Sequence, residues 1–354
     1  MMESSRSRTK KVRIGDVYIG GGSPVAVQSM TNTCTHDIDT TVQQIRCLEE
    51  KGCEIVRCAV PDDRAVQALP EIISAADIPV VADIHFRADL AVKAAEAGAA
   101  KIRINPGNIG DEKDLIRVIR AARDCSIPIR IGVNSGSLEA DVLERYGHPV
   151  PAAMAESMLK FVSVFEKHSF TDLVLSVKST SVRDTVEANR MLSSETSYPL
   201  HLGITEAGTR AYGTVKSAVG LGILLFEGIG DTIRVSLSGD PVYEVESARN
   251  ILKAAGLRRF GPEVITCPTC GRTQADIEPI ALEIEEKTKD VSHISTIAVM
   301  GCEVNGPGEA READIGVACG RKTATLFISG EPVRKIKLEN TVEELLREIR
   351  SLSS

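Results

Sequence analysis

The chain has 354 residues, 43% of them hydrophobic but only 3% aromatic, with no Trp and a formal net charge of −7. That length accommodates one large domain and a smaller one, and the aliphatic core it implies suits a parallel α/β protein. The acidic balance argues against a nucleic-acid partner, and no apolar run reaches the roughly 18 residues of a membrane span.

Met1 to Lys11 is polar and basic, without the apolar stretch of a secretory signal, and is expected to be a frayed tail. Nine cysteines without such a signal place the chain in a reducing, cytoplasmic compartment. Val12 to Ile19 reads as a hairpin around Gly15-Asp16, so residues 1–23 form a tail and hairpin. After Gly20-Gly21-Gly22, short apolar runs alternate with amphipathic helical stretches. The runs begin at Val25, Ile55, Val80, Lys101, Ile129, Leu173, Leu200 and Thr232. Helix patterns lie between them, as at Leu90 to Ala99 and Leu115 to Ala122. Eight such units over residues 24–258 have the size of a (β/α)8 TIM barrel. An open doubly wound sheet more often has fewer strands, and the G-x-G-x-x-G turn it would place early is absent.

From Arg259 the pattern changes, and residues 259–354 are expected to form a compact α+β domain. Helices are predicted at Ile277 to Lys287 and Thr341 to Leu352. Strands are predicted at Ile294 to Val299, Ile315 to Ala318 and Thr323 to Ile328.

Catalytic groups of such barrels sit at the C-terminal strand ends and the loops that follow. Here those ends offer Gln28 with Ser29, Arg57, Asp83 with His85, Arg103 with Asn105, and Arg130 with Asn134. Further round come Lys178, His201 with Thr205 and Glu206, and Arg234 with Ser236. Buried cations must be paired or must face an anion. Asp83 and Glu206 could pair some of them, but Arg and Lys outnumber the carboxylates, so an anionic ligand fits better, and Arg suits phosphate.

Cys267-Pro268-Thr269-Cys270 is a C-x-x-C turn, and Cys302 arrives from a Gly/Pro-rich loop, Gly301 to Ala310. Three thiolates without an obvious fourth suit an iron–sulfur cluster better than structural zinc, which normally takes four closed ligands. By residue type alone Cys319 would complete the set; Glu309 shares the loop of Cys302. Cys47, Cys53, Cys58 and Cys125 sit in apolar surroundings and read as small buried hydrophobes.

These residues resemble the 4-hydroxy-3-methylbut-2-enyl diphosphate synthase family of the methylerythritol phosphate route to isoprenoids. The likeness covers nearly the whole chain. It is carried by Val27 to Thr31, Val81 to Phe86, Lys101 to Asn108, Leu200 to Gly208, Glu227 to Arg234 and both cysteine motifs. The short spacer before the cysteine motif matches the two-domain bacterial form. The resemblance implies reductive ring opening and dehydration of 2-C-methyl-D-erythritol 2,4-cyclodiphosphate. It implies a [4Fe–4S] cluster on Cys267, Cys270, Cys302 and the carboxylate of Glu309, with Glu309 and Glu227 in catalytic roles. The ring of strand-end residues, Arg57 to Ser236, would bind substrate. A flavodoxin or ferredoxin would donate electrons to a homodimer in which one subunit's cluster domain closes over the partner's barrel. Two other functions compete: a barrel for a phosphorylated or pterin-like ligand with a structural zinc domain, and an iron–sulfur carrier or assembly scaffold. A carrier would not need the cationic barrel mouth.

Overall fold

A computed structural model describes residues 5–302, 308 and 312–352, in two compact units that divide between Arg258 and Arg259. The first unit opens with a 3-10 turn at Ser5–Arg8, tied to the barrel by Arg6 N–H to the Gly228 carbonyl rather than frayed as expected, and then a hairpin of β1 (Val12–Ile14) and β2 (Val17–Ile19), turned at Gly15 with φ +59°. Eight parallel strands follow: β3 (Ala26–Met30), β4 (Ile55–Ala59), β5 (Val80–Asp83), β6 (Lys101–Ile104), β7 (Ile129–Asn134), β8 (Leu173–Lys178), β9 (His201–Leu202) and β10 (Thr232–Ile233). They hydrogen-bond in the order β8-β7-β6-β5-β4-β3-β10-β9. A parallel bridge between Leu175 and Leu200 joins β8 to the segment entering β9, which closes the barrel.

Helices α1 (Ile38–Glu50), α2 (Asp63–Ala75), α3 (Ala88–Glu96), α4 (Glu112–Asp124), α5 (Ala140–Tyr146), α6 (Pro151–Lys167), α7 (Val182–Glu195), α8 (Arg210–Phe226) and α9 (Val242–Ala254) connect the strands. Several start as soon as the preceding strand loop ends, because a polar residue caps them. The side chains of Asp62, Asp111 and Ser181 accept from the backbone N–H groups of Ala65, Asp114 and Asp184. The hairpin is part of the barrel's packing: Val12, Ile14 and Ile19 bury against Ala26, Ile55, Val81 and Val174 at the N-terminal ends of four strands. That end is therefore plugged largely with apolar side chains, though Lys101 at the start of β6 is buried there too.

The last two barrel strands are shorter than the apolar runs predict. Gly203 lies so close to the chain after β10 that a Cβ there would fall 2.7 Å from the Arg234 carbonyl oxygen. The two segments thus stay side by side past the ladder, with the Arg234 N–H donating to the Leu202 carbonyl at 2.9 Å.

In the second unit β11 (Glu263–Thr266), β12 (Thr296–Met300), β13 (Ile315–Cys319), β14 (Thr323–Ile328) and β15 (Glu331–Lys337) form one sheet in that order. Its first three strands are parallel and its last three antiparallel. Helices α10 (Glu278–Thr288) and α11 (Thr341–Ser351) bury Ile284, Leu345 and Ile349 with Ile297, Val299 and Val317 of the sheet. The predicted helices and strands of this unit are present. β11 and the charged edge strand β15 are additional to them.

Candidate active site

Alternation along the barrel strands aims every second side chain inward. Met30, Arg57, Asp83, Arg103, Arg130, Asn134, Lys178, Arg234 and Ser236, with His85 from the loop after β5, line one cavity of about 240 Å³ at the C-terminal end. Of the eleven residues predicted to bind substrate, nine meet there. Asn105 is buried beside it, and its side chain caps the turn after β6 by accepting from the Gly107 N–H. His201 lies deeper, fully buried, with Nδ1 2.7 Å from Thr232 Oγ1.

Charge dominates this cavity. Six cations, Arg57, Lys101, Arg103, Arg130, Lys178 and Arg234, share the barrel interior and its mouth with two buried carboxylates, Asp83 and Glu244; the exposed Glu206 stands at the rim. Asp83 is 3.1 Å from Arg103 and 3.8 Å from Arg57, and His85 Nε2 stands 3.2 Å from it. Burial alone would raise the Asp83 carboxyl, but Arg57, the His85 hydrogen bond and Arg103 outweigh it and hold it below the usual carboxylate range. Glu244, from the first turn of α9, takes a forked contact from Arg234 Nε and Nη2 at 3.1 Å each and also accepts from Ser29 Oγ at 3.0 Å. The Leu237 N–H donates to it as well.

The other cations are less well matched. Arg130 donates through Nη1 to the neutral Gln28 Oε1 at 3.2 Å, and Lys101 Nζ has no hydrogen-bond acceptor among the described residues. Burial, and then the surrounding cations, push Arg130, Lys178 and Lys101 well down from their ordinary values. Burial lowers Arg57 to about 10 despite Asp83. Two glycines make room for these groups: a Cβ at Gly132 would sit 2.8 Å from Arg103 Nε, and one at Gly203 2.8 Å from Lys178 Nζ. An unliganded layer of like charges at this depth is expensive, and an anion with several oxygens would relieve it.

Glu227 is not at this site. It caps the C-terminal end of α8, exposed and ion-paired with Arg190 of α7. A crossover helix runs back along the barrel, so its C-terminus lies at the opposite end from the cavity. The carboxylate the structure does put at the mouth is Glu206, beside the cavity-lining Thr205 and exposed, with φ +50°. Positive φ is uncommon for a non-glycine residue and concentrates at functional sites. Reading by residue type missed two other contributors. Glu244 looks like an ordinary helical carboxylate in sequence. Met30 Sδ accepts from Arg57 Nε and Nη2 at 3.1 and 2.9 Å, which nothing in its sequence context announces.

In the second unit Cys267 follows β11 and Cys302 follows β12, two neighbouring parallel strands, so both thiols leave the same end of the sheet. The Gly301 N–H donates to Cys267 Sγ at 3.2 Å. Cys270 is exposed, and the Arg272 backbone N–H, with help from its side chain, lowers its thiol. Cys302 is buried. Such soft, hydrogen-bonded sulfurs suit iron–sulfur ligation. No three His, Cys, Asp or Glu side chains converge as a metal site among the described residues, and Glu309 lies outside them. Cys319 ends β13 inside the apolar core, where burial pushes its thiol up to about 12.

The GcpE TIM-barrel domain model matches residues 9–249 and the GcpE protein C-terminal domain model residues 263–351. The chain belongs to the GcpE family of 4-hydroxy-3-methylbut-2-enyl diphosphate synthases. It is 54% identical over 351 residues to the 4-hydroxy-3-methylbut-2-en-1-yl diphosphate synthase (flavodoxin) of Caldanaerobacter subterraneus, covering 99% of each chain. It is 52% identical to that of Clostridium perfringens, over 98% of this chain and 100% of the relative. For the Aquifex aeolicus enzyme the figures are 51%, 98% and 97%. Among solved structures, the sialic acid synthetase of Leptospira borgpetersenii aligns with a TM-score of 0.50 at 13% identity, over 72% of this chain and 93% of that one. That is a likeness of fold alone. GcpE membership makes the chain an oxidoreductase of isoprenoid precursor biosynthesis, as the sequence motifs implied.

Proposed function

We propose that the barrel mouth grips the diphosphate of 2-C-methyl-D-erythritol 2,4-cyclodiphosphate, which the enzyme converts to 4-hydroxy-3-methylbut-2-enyl diphosphate. The observation that carries this reading is the excess of cations: six, several of them deeply buried, against two buried carboxylates and the exposed Glu206. In the reaction the ring carbon–oxygen bond to the diphosphate breaks, two electrons and two protons enter, and one water leaves. The phosphate oxygen that loses its carbon gains negative charge. Arg57, Arg103, Arg130 and Lys178 surround the place where that charge develops, and fixed cations there lower the barrier. Glu206, held at the mouth, is the group we assign to deliver the proton that the departing hydroxyl needs.

The three thiols fit an iron–sulfur cluster, and we assign a [4Fe–4S] cluster to Cys267, Cys270 and Cys302 with Glu309 as fourth ligand. When bound, it supplies electrons singly to the substrate. Cys319 is left out because its side chain is committed to the core. The flavodoxin named in the relatives' descriptions supports flavodoxin, or a ferredoxin, as the donor. The working unit is a cytoplasmic homodimer, following the family resemblance. Among the described residues no helix is long and apolar enough to cross a membrane.

Anaerobic turnover of the cyclodiphosphate with a chemical reductant tests the reading. Product should form only with iron-loaded protein. Cys319→Ser should retain iron and most activity, whereas Glu309→Ala should lose activity even where some iron remains. Iron lost in Cys319→Ser, with Glu309→Ala intact and active, would reverse the ligand assignment. Mixing a variant dead in the barrel with one dead in the cysteine unit should restore turnover if subunits share a site. Continued inactivity after verified exchange would count against sharing.

A further inference from the structure

Four of the six cations in the barrel are arginines, which keep their charge at neutral pH. A lysine is different, because burial can strip its proton. The two lysines are placed differently. Lys178 ends β8 and lines the cavity, where it meets water. Lys101 opens β6, is 0% exposed and lines no part of the cavity.

Apolar groups and cations enclose Lys101. Its register partner on β5 is Val81, which belongs to the apolar plug with Ile14, Ala26, Ile55 and Val174. Arg103 is the next inward residue of its own strand. Arg130 of β7 and Arg57 of β4 are the charges that act on it, and no carboxylate is among them. Asp83 is already held by Arg57, Arg103 and His85. The neutral groups of this interior offer Lys101 nothing either: Nζ has no acceptor among the described residues, and Gln28 Nε2 and His201 Nε2 are equally unpartnered. An ammonium with neither water, acceptor nor counterion costs far more than the neutral amine. Buried lysines in other proteins lose their proton as low as about pH 5 to 6. Burial first, and then repulsion from Arg130 and Arg57, moves Lys101 in that direction.

We propose that Lys101 is uncharged in the free enzyme and takes up a proton from solvent when the diphosphate binds. It is a positioning residue, acting through Arg130 and Arg57 without touching substrate, and the inference rests on the diphosphate reading above. Each phosphorus of the cyclic substrate carries one acidic oxygen, already ionised at neutral pH. The ligand therefore brings two negative charges and no proton. Those charges offset the guanidinium charges that keep a proton off Lys101, and the amine becomes an ammonium with no bond to substrate formed. The free enzyme is thereby spared one buried charge, and the liganded enzyme regains it where an anion is present to balance it. Because binding takes up a proton, affinity falls as pH rises, by up to about tenfold per pH unit.

Calorimetric titration of the iron-loaded full chain with 2-C-methyl-D-erythritol 2,4-cyclodiphosphate, anaerobically and without reductant, tests this. Run in Tris and in HEPES, it counts the proton, because the two buffers differ in the heat of releasing one. Wild-type protein should take up about half a proton or more per chain near pH 7.5, and Kd should rise with pH. K101M and K101Q keep the length of the buried stem or its polarity but cannot titrate. Both should fold, bind without proton uptake, and show a Kd that changes less than about twofold between pH 7 and 8. Wild-type binding without uptake would overturn the proposal and leave the diphosphate reading standing. So would uptake that survives K101M, which would put the proton on His201, His85 or Lys178. Loss of the fold in both variants, by circular dichroism, would show that the free enzyme needs a charged Lys101 and would overturn it too. No binding by the wild-type protein would overturn the diphosphate reading itself.

Discussion

At the barrel mouth the functional groups hold one another in place; among the described residues around the cysteines they do not. Arg103 and Arg57 are set against Asp83, Arg234 is forked onto Glu244, and Gly132 leaves room for a guanidinium. All but Arg234, the residue after β10, stand on strands or on the first turn of a helix. Cys267, Cys270 and Cys302 stand on the loops that leave β11 and β12, steadied by single contacts such as the Gly301 N–H to Cys267. The first arrangement resists its own repulsion with rigid scaffold and waits for an anion. The second presents three thiols from loops at one end of a sheet, and the group they bind would complete it. Preorganisation therefore belongs to substrate binding, and ligand-dependent order to the redox centre.

That contrast can be broken from either side. The largest effect is expected from Cys302→Ser, which should abolish iron loading and reduce turnover about 1,000-fold or more while leaving the barrel folded; circular dichroism and iron content check both halves. Next comes Arg130→Ala. It removes a fully buried cation that donates to a neutral amide, and should weaken substrate binding by about 2 kcal/mol or more, a roughly 30-fold rise in KM. Unchanged KM and kcat would remove Arg130 from the site. A smaller change sharpens the comparison. Glu244→Gln keeps the shape of the Arg234 support but not its charge, and should raise KM about tenfold with kcat changed much less. The smallest belongs to Glu227→Gln. Its exposed pair with Arg190 is worth little, so kcat/KM should stay within about twofold. A large loss of kcat there would restore the catalytic role that its position denies.

The barrel was legible because its signals repeat: eight apolar runs, each with a polar or charged residue within it or just after it, state both fold and mouth. The failures have separate causes. Glu227 falls in a stretch that resembles the family motif, and only the direction of α8 shows that it faces the wrong end. Glu244 and Met30 matter through contacts across the barrel, Glu244 to a residue 215 positions away, which no local pattern encodes. Strand β15 was hidden because its outward residues are charged, as befits a sheet edge. Cys319 is readable as a ligand by residue type, and it takes the packed core of the second unit to show that its thiol faces inward.

The central claim is that the barrel mouth is a finished diphosphate site without help from the redox centre. Calorimetric titration of Cys302→Ser with 2-C-methyl-D-erythritol 2,4-cyclodiphosphate tests it most directly. The account predicts binding within about tenfold of the wild-type Kd, lost when Arg130→Ala is added to the same protein. Absence of binding in Cys302→Ser, with the barrel intact by circular dichroism, would contradict it.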